Sequence, residues 1–282
     1  MDMSVISSSS VVGPARAQKL APTNPDVCLC MVGMTPCRQE QLSSLLLVYF
    51  AAPALACVPP PLDVFSVHGT DIYKNFVNGP TGPAQRWVEP DTVSWGIDET
   101  SMHAVLNEVR PTFVIEVGSW KGLSALSMAT WMKANIGNCS RIICIDTWLG
   151  TTLAWTHPGQ HGNELFSHAG YPSIYYQFLF NILTARMNDV IVPLPLPGTM
   201  GALYMKHRQY WPDLVFIDGC HDRECVYADI LSWYPVVKRG GALFGDDLIR
   251  HEVKSAVTDA AANLGAKFGR VGRYWMLRKL KE

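Results

Sequence analysis

The stretch Thr112–Ser124, TFVIEVGSWKGLS, constrains the fold more than any other part of the chain. Apolar residues run up to Glu116, Gly118 and Gly122 bracket a turn, and LSALSMATWMK continues with helical spacing. A buried strand, a glycine turn and a helix start in that order describe the first unit of an open α/β sheet. The glycines, with Ser119 between them, allow a ligand close to the backbone, and the helix start offers N–H groups without partners. An ordinary strand-to-helix turn that binds nothing fits the same letters. The strands further along the chain separate the two.

Arg141–Asp146, RIICID, is a second apolar run that ends in a carboxylate. It lies about 20 to 30 residues further on, where such sheets place an acid to accept hydrogen bonds from ribose hydroxyls. The dehydrogenase fingerprint GxGxxG is absent, because three residues separate Gly118 from Gly122. Asp213–Gly219, DLVFIDG, is a third buried strand, with Asp218 at its end. His221 and a helix running to Val237 come next, then Lys-Arg-Gly-Gly and the strand ALFGDD, which ends in Asp246 and Asp247. Carboxylates at the C-terminal ends of parallel strands converge on one edge of the sheet.

The pattern E-x-G-x-x-x-G followed by a strand ending in Asp resembles the class I S-adenosylmethionine-dependent methyltransferases. The resemblance implies a Rossmann-like seven-stranded α/β sheet, mostly parallel with the last strand antiparallel, and helices on both faces. It implies that Glu116, Gly118, Ser119 and Gly122 lie against the methionine part of the cofactor and that Asp146 binds the ribose. Trp148 joins that set; its ring, like those of Trp120 and Trp155, fits either a cover for the adenine or core packing. The string IDG-x-H…GG…F-GDD is similar to the metal-dependent O-methyltransferase branch, of catechol and macrolide-sugar type, over roughly residues 110–280. Asp218, Asp246 and Asp247 are then ligands to Mg²⁺ or another divalent ion, for which hard oxygens are suited. For the acid pair, helix capping ahead of LIRHEVKSAV is the competing use.

Methyl transfer from a sulfonium is an in-line displacement, so positioning supplies most of the catalysis. A metal that holds the acceptor oxygen lowers its pKa, and a base takes the proton. His221 is the candidate base, three residues after Asp218, where catechol methyltransferases place a lysine; a backbone-bonding role at a helix start is the competing use. Asp222 and His251 are weaker candidates. Two other functions share these features. One is a metal-dependent hydroxylase on the same fold, and the other is a cofactor-binding protein without turnover.

Net charge is −1, which gives no reason to expect a nucleic-acid partner. The expected partner is a small-molecule acceptor; oligomeric state is open, a homodimer included. Residues 1–58 read as a low-order extension and 59–282 as the methyltransferase domain, with 59–110 as a lid region that contains a helix over 98–109. The apolar segment 42–57 is too short for a comfortable membrane span. It fits a secretory signal if translation starts at Met31 or Met34, and a docking helix otherwise. The compartment is accordingly cytoplasmic by default or secretory in the first case. Among the eight cysteines, Cys28, Cys30 and Cys37 lack zinc-finger spacing, and cleavage before Cys57 leaves an odd number. Residues 147–170 read as a surface loop or a substrate-contacting lid. Further on, Tyr171–Met187 and Met200–Arg208 read as helices and Val190–Leu196 as a strand. Two final strands form a hairpin about Gly272.

Overall fold

The computed structural model describes residues 63, 67–78, 90–92, 96–157 and 170–280. Its strands are β1 (Phe113–Val117), β2 (Arg141–Ile145), β3 (Ile191–Leu194), β4 (Leu214–Ile217), β5 (Ala242–Gly245), β6 (Lys267–Val271) and β7 (Tyr274–Arg278). They form one sheet in the order β3-β2-β1-β4-β5-β7-β6. The first five run parallel. β7 is antiparallel to both β5 and β6. The seven-stranded, mostly parallel sheet expected from the sequence is therefore present, with the hairpin turning at Gly272.

The helices are α1 (Ile72–Asn78), α2 (Glu99–Val109), α3 (Leu123–Asn135), α4 (Thr152–Thr156), α5 (Ile174–Thr184), α6 (Gly198–Arg208), α7 (Arg223–Trp233) and α8 (His251–Leu264). Alternation along the strands divides the apolar residues between two cores. Val114, Ile142, Phe216 and Phe244 pack with Met102, Met128, Met132 and Phe178 of α2, α3 and α5. Ile115, Ile143, Val215 and Leu243 pack with Met205, Ile230, Trp233 and Val257 of α6, α7 and α8. A strand covered on both faces reads as an unbroken apolar run, which is why β1 and β4 were legible.

Pro193 lies inside β3, an edge strand, where a missing N–H is tolerated. The carbonyls of Ile191 and Pro193 are taken by the Tyr73 hydroxyl (2.8 Å) and His68 Nε2 (2.6 Å). The helix expected over 98–109 is α2, capped by Asp98, which accepts from the Ser101 backbone N–H at 3.1 Å. It docks on the final hairpin: a Cβ on Gly272 would stand 1.7 Å from Ser101 Oγ. Among the described residues no helix is long and apolar enough to cross a membrane. The segment 42–57, Cys28, Cys30, Cys37, Cys57 and residues 158–169 of the expected loop lie outside the described residues.

Candidate active site

After β1 the chain reverses through positive φ at Gly118 (87°), Trp120 (47°) and Gly122 (92°). Gly118 donates to the Ile145 carbonyl at 2.8 Å, and Gly122 to that of Ser119 at 2.7 Å. Gly118 lies directly against Gly219, which follows β4; a Cβ on Gly118 would be 2.2 Å from the Gly219 Cα. Two glycines on adjacent strand ends leave a floor of bare backbone, which a ligand can approach closely.

Asp146 sits at the end of β2 as expected, but its carboxylate is largely engaged by protein. Oδ2 accepts from the backbone N–H of Ser119 and Trp120, both at 2.9 Å, and Oδ1 from that of Trp148 at 2.8 Å. A carboxylate has about four acceptor sites, so room remains for roughly one further donor. Burial raises its pKa, opposed by those same N–H groups. Glu116 is more enclosed still. It is fully buried, accepting from Ser124 Oγ at 2.6 Å and from the Cys144 thiol at 3.3 Å. Burial pushes its pKa up, and the hydroxyls and thiol around it pull the other way. Glu116 thus braces β1, the start of α3 and β2 from below the turn.

Of the two uses read for Trp148, the structure shows core packing. Its ring is buried against Tyr175 and Phe178, with centroids 4.9 and 5.0 Å away, and its indole N–H donates to the Trp120 carbonyl at 2.8 Å. Both ring partners belong to α5, and the packing removes a large apolar area from water. Sequence reading missed the group that holds this turn from above. Lys121, buried, pairs with Asp91 at 2.7 Å, and Asn181 of α5 donates to the carbonyls of Asp91 (2.7 Å) and Lys121 (2.8 Å). No local pattern connects residues 91, 121 and 181.

The second half of the site stands on β4 and β5. Asp218, His221 and Asp247 bring one ligand atom each to within 4.8 Å of one another. His221 Nε2 is 2.8 Å from Asp247 Oδ2. Asp246, expected beside Asp218 and Asp247, lies outside this group. Arg273, beside the hairpin turn, grips both of its oxygens, the Nε contact being 2.7 Å, and the Asp246 side chain is 3% exposed. His221, read as the base, stands where Asp246 was expected as a ligand.

Asp218 and Asp247 are shifted in opposite directions. Burial, then the neighbouring Asp246 and Asp247 carboxylates, push Asp218 well above the usual carboxylate range. The hydrogen bond from His221, and with it Arg250, holds Asp247 below that range. Asp247 also adopts φ 57°, a left-handed conformation that costs on the order of 1–3 kcal/mol and is concentrated at functional sites. Its own N–H is held by Asp246 Oδ1 at 2.7 Å. Beside the trio, Cys220 and Cys225 are free thiols, and the hydrogen bond from Cys225 brings the Cys220 pKa down to about 7. Asp222 stands at the N-cap position of α7, with no capping bond from its side chain, and His251 opens α8; neither belongs to the trio.

This sheet order, with a glycine turn over β1 and acids at the ends of β2, β4 and β5, is a class I methyltransferase architecture. Residues 115–248 match the family model described as a methyltransferase domain. Those residues form a methyltransferase domain. No curated protein matches the chain. Among solved structures it is similar to the apo form of CalS11, a TDP-rhamnose 3'-O-methyltransferase of calicheamicin biosynthesis. That likeness has 18% identity, 64% of this chain, 78% of that chain and a TM-score of 0.44. It is also similar to the O-methyltransferase NovP, with 14% identity, 64% and 79% coverage and a TM-score of 0.46. An O-methyltransferase from Bacillus cereus in complex with SAH gives 14% identity, 77% and 100% coverage and a TM-score of 0.44.

Proposed function

We propose that the chain methylates a hydroxyl of a small acceptor, with Asp218, His221 and Asp247 as the acceptor-activating centre. The observation that carries this reading is the convergence of those three side chains one strand away from the glycine floor of β1. S-Adenosylmethionine supplies the methyl group: the carbon–sulfur bond breaks as the carbon–oxygen bond forms, and sulfur keeps the electron pair as a thioether. Gly118, Ser119 and Gly122 would seat it, with Asp146 offering its remaining acceptor site to one ribose hydroxyl.

Two carboxylates and an imidazole fit a divalent ion. The nitrogen makes this donor set less hard than the three carboxylates expected from the sequence, so it suits Mn²⁺, Fe²⁺ or Zn²⁺ at least as well as Mg²⁺. An ion there would act as a Lewis acid on the acceptor hydroxyl. Asp218 supports this: among the described residues no side chain donates a hydrogen bond to its carboxylate, which leaves it poised for a cation or a proton. Asp247 orients His221 through the 2.8 Å contact, and this favours a second, metal-free reading in which His221 takes the hydroxyl proton.

Calorimetric titration of S-adenosylmethionine into the full chain tests the first half, with Asp146→Ala beside wild type. Micromolar binding by wild type, lost in the variant, is expected. Equal affinity in the two proteins would remove Asp146 from the cofactor seat. Mn²⁺ binding, tracked by loss of the free-ion resonance signal, tests the second half: Asp247→Ala should abolish it and leave cofactor affinity intact. Turnover that persists in excess chelator would select the metal-free reading.

A further inference from the structure

The parts of the site are laid out in a row along one edge of the sheet. The glycine floor and Asp146 stand over β1 and β2, and Asp218, His221 and Asp247 over β4 and β5. On the far side of the trio is a cavity of about 480 Å³, lined by Asp246, Asp247, Leu248, Ile249, Arg270 and Arg273. Strand spacing puts it roughly 10 Å along the row from the glycine floor. An in-line displacement requires the methyl donor on one side of the acceptor oxygen, so the body of the acceptor extends to the other side. By strand order this cavity, which shares Asp247 with the trio, is on that side.

Its walls define a chemistry. Leu248 and Ile249 are apolar, and Ile249 is 96% exposed immediately beside the trio. The charges are matched except at one residue. Asp246 is gripped by Arg273, and Asp247 contacts His221 and Arg250. Arg270 donates its Nε–H to the Gly272 carbonyl at 2.5 Å, which fixes the guanidinium plane. Among the described residues no carboxylate pairs with it, and about four of its five N–H groups remain for a ligand.

Building on the methyl-transfer reading, we propose that the acceptor is a hydroxylated compound with an apolar body and an anionic group, either carboxylate or phosphate. The body rests on Leu248 and Ile249. The anionic oxygens are bound by Arg270, whose planar fork suits both groups. Arg270 is a specificity-determining residue here and takes no part in the bond changes.

The charge of the product tests this directly. The full chain is incubated with methyl-tritiated S-adenosylmethionine and a small-molecule metabolite extract, and the labelled product is run on an anion exchanger before and after alkaline phosphatase. Retained label is expected; its release by phosphatase identifies a phosphate ester, and continued retention a carboxylate. Arg270→Gln should raise KM for that product's precursor, lowering kcat/KM roughly 10- to 100-fold, with kcat and cofactor affinity little changed. Arg270→Lys should recover part of the loss and serves alone if the glutamine variant does not fold. Label in an uncharged product, or an unchanged KM in both variants, overturns the proposal. No labelled product at all, with cofactor binding intact, overturns the methyl-transfer reading itself.

Discussion

Gly118 and Asp229 show how much a single position decides. At Gly118 both the backbone, at φ 87°, and the 2.2 Å approach to Gly219 exclude a side chain. Gly118→Ala is expected to cost roughly 2–5 kcal/mol from left-handed strain and overpacking together, and to weaken cofactor binding. Urea unfolding measures the first; a wild-type midpoint would mean that the two strand ends part easily. The glycine itself was legible in the sequence, but its neighbour Gly219 was not, because about a hundred residues separate them. Asp229 carried no sequence signal. It is 6% exposed on α7, against Gly198 at the start of α6, and burial pushes its pKa up to about 6. The unfolded chain titrates near 3.9, so the folded state holds the proton more tightly. The contribution of Asp229 to stability is therefore greatest below about pH 4, falls as pH rises to about 6, and is level above that. Asp229→Asn should remove this fall and gain up to ~3 kcal/mol at neutral pH, with little gain near pH 4. Unfolding at both pH values checks the sign, and an equal effect at the two would exclude titration as the cause.

At the scale of elements, α5 is the part that turns a loop into a seat. Asn181 accepts from the Asp91 N–H at 3.0 Å and from Gln177 Nε2 at 2.9 Å, and it donates to the carbonyls of Asp91 and Lys121. One amide thereby ties residues 90–92 to the glycine turn. Asn181→Ala is expected to destabilise by roughly 1–3 kcal/mol by stripping partners from buried backbone groups. Amide exchange should quicken at residues 91 and 119–122 and stay unchanged in β4 and β5; uniform quickening would point to global loosening instead. Elements of this kind were readable in outline. Apolar periodicity located α5, yet it begins at Ile174 and ends at Thr184, inside the expected span, because Arg186 turns left-handed at φ 55°. Which of its polar residues face the turn depends on how α5 packs, and no local pattern records that.

For the whole molecule, the proposed role of the trio sets stability against function. Asp218 is half-buried beside two further carboxylates and its folded pKa is raised, so its contribution to stability declines as pH climbs from about 4 toward that folded value. Asp218→Asn keeps the shape and removes the charge. It should raise the melting temperature by a few degrees at neutral pH and abolish Mn²⁺ binding, while leaving cofactor affinity intact. A lower melting temperature would show that Asp218 has a stabilising partner. Saturating Mn²⁺ should raise the melting temperature of wild type alone, since a ligand stabilises only the state that binds it.

Amino-acid order by itself determined the sheet elements, the glycine turn and the acids at the strand ends. Each is written in a short window: an unbroken apolar run for a strand covered on both faces, a glycine where φ is positive, a carboxylate as the last letter. Only the tertiary structure decided which partners those acids meet. Asp246 and Asp247 are adjacent letters, and residues leaving a strand point in opposite directions, so both cannot face the same point. Arg273, delivered by a hairpin 27 residues further on, claims Asp246, and the chain's left-handed step at Asp247 turns that carboxylate toward His221. The ring of Trp148 and the oxygens of Asp146 were settled the same way, by which neighbours the fold brings within reach.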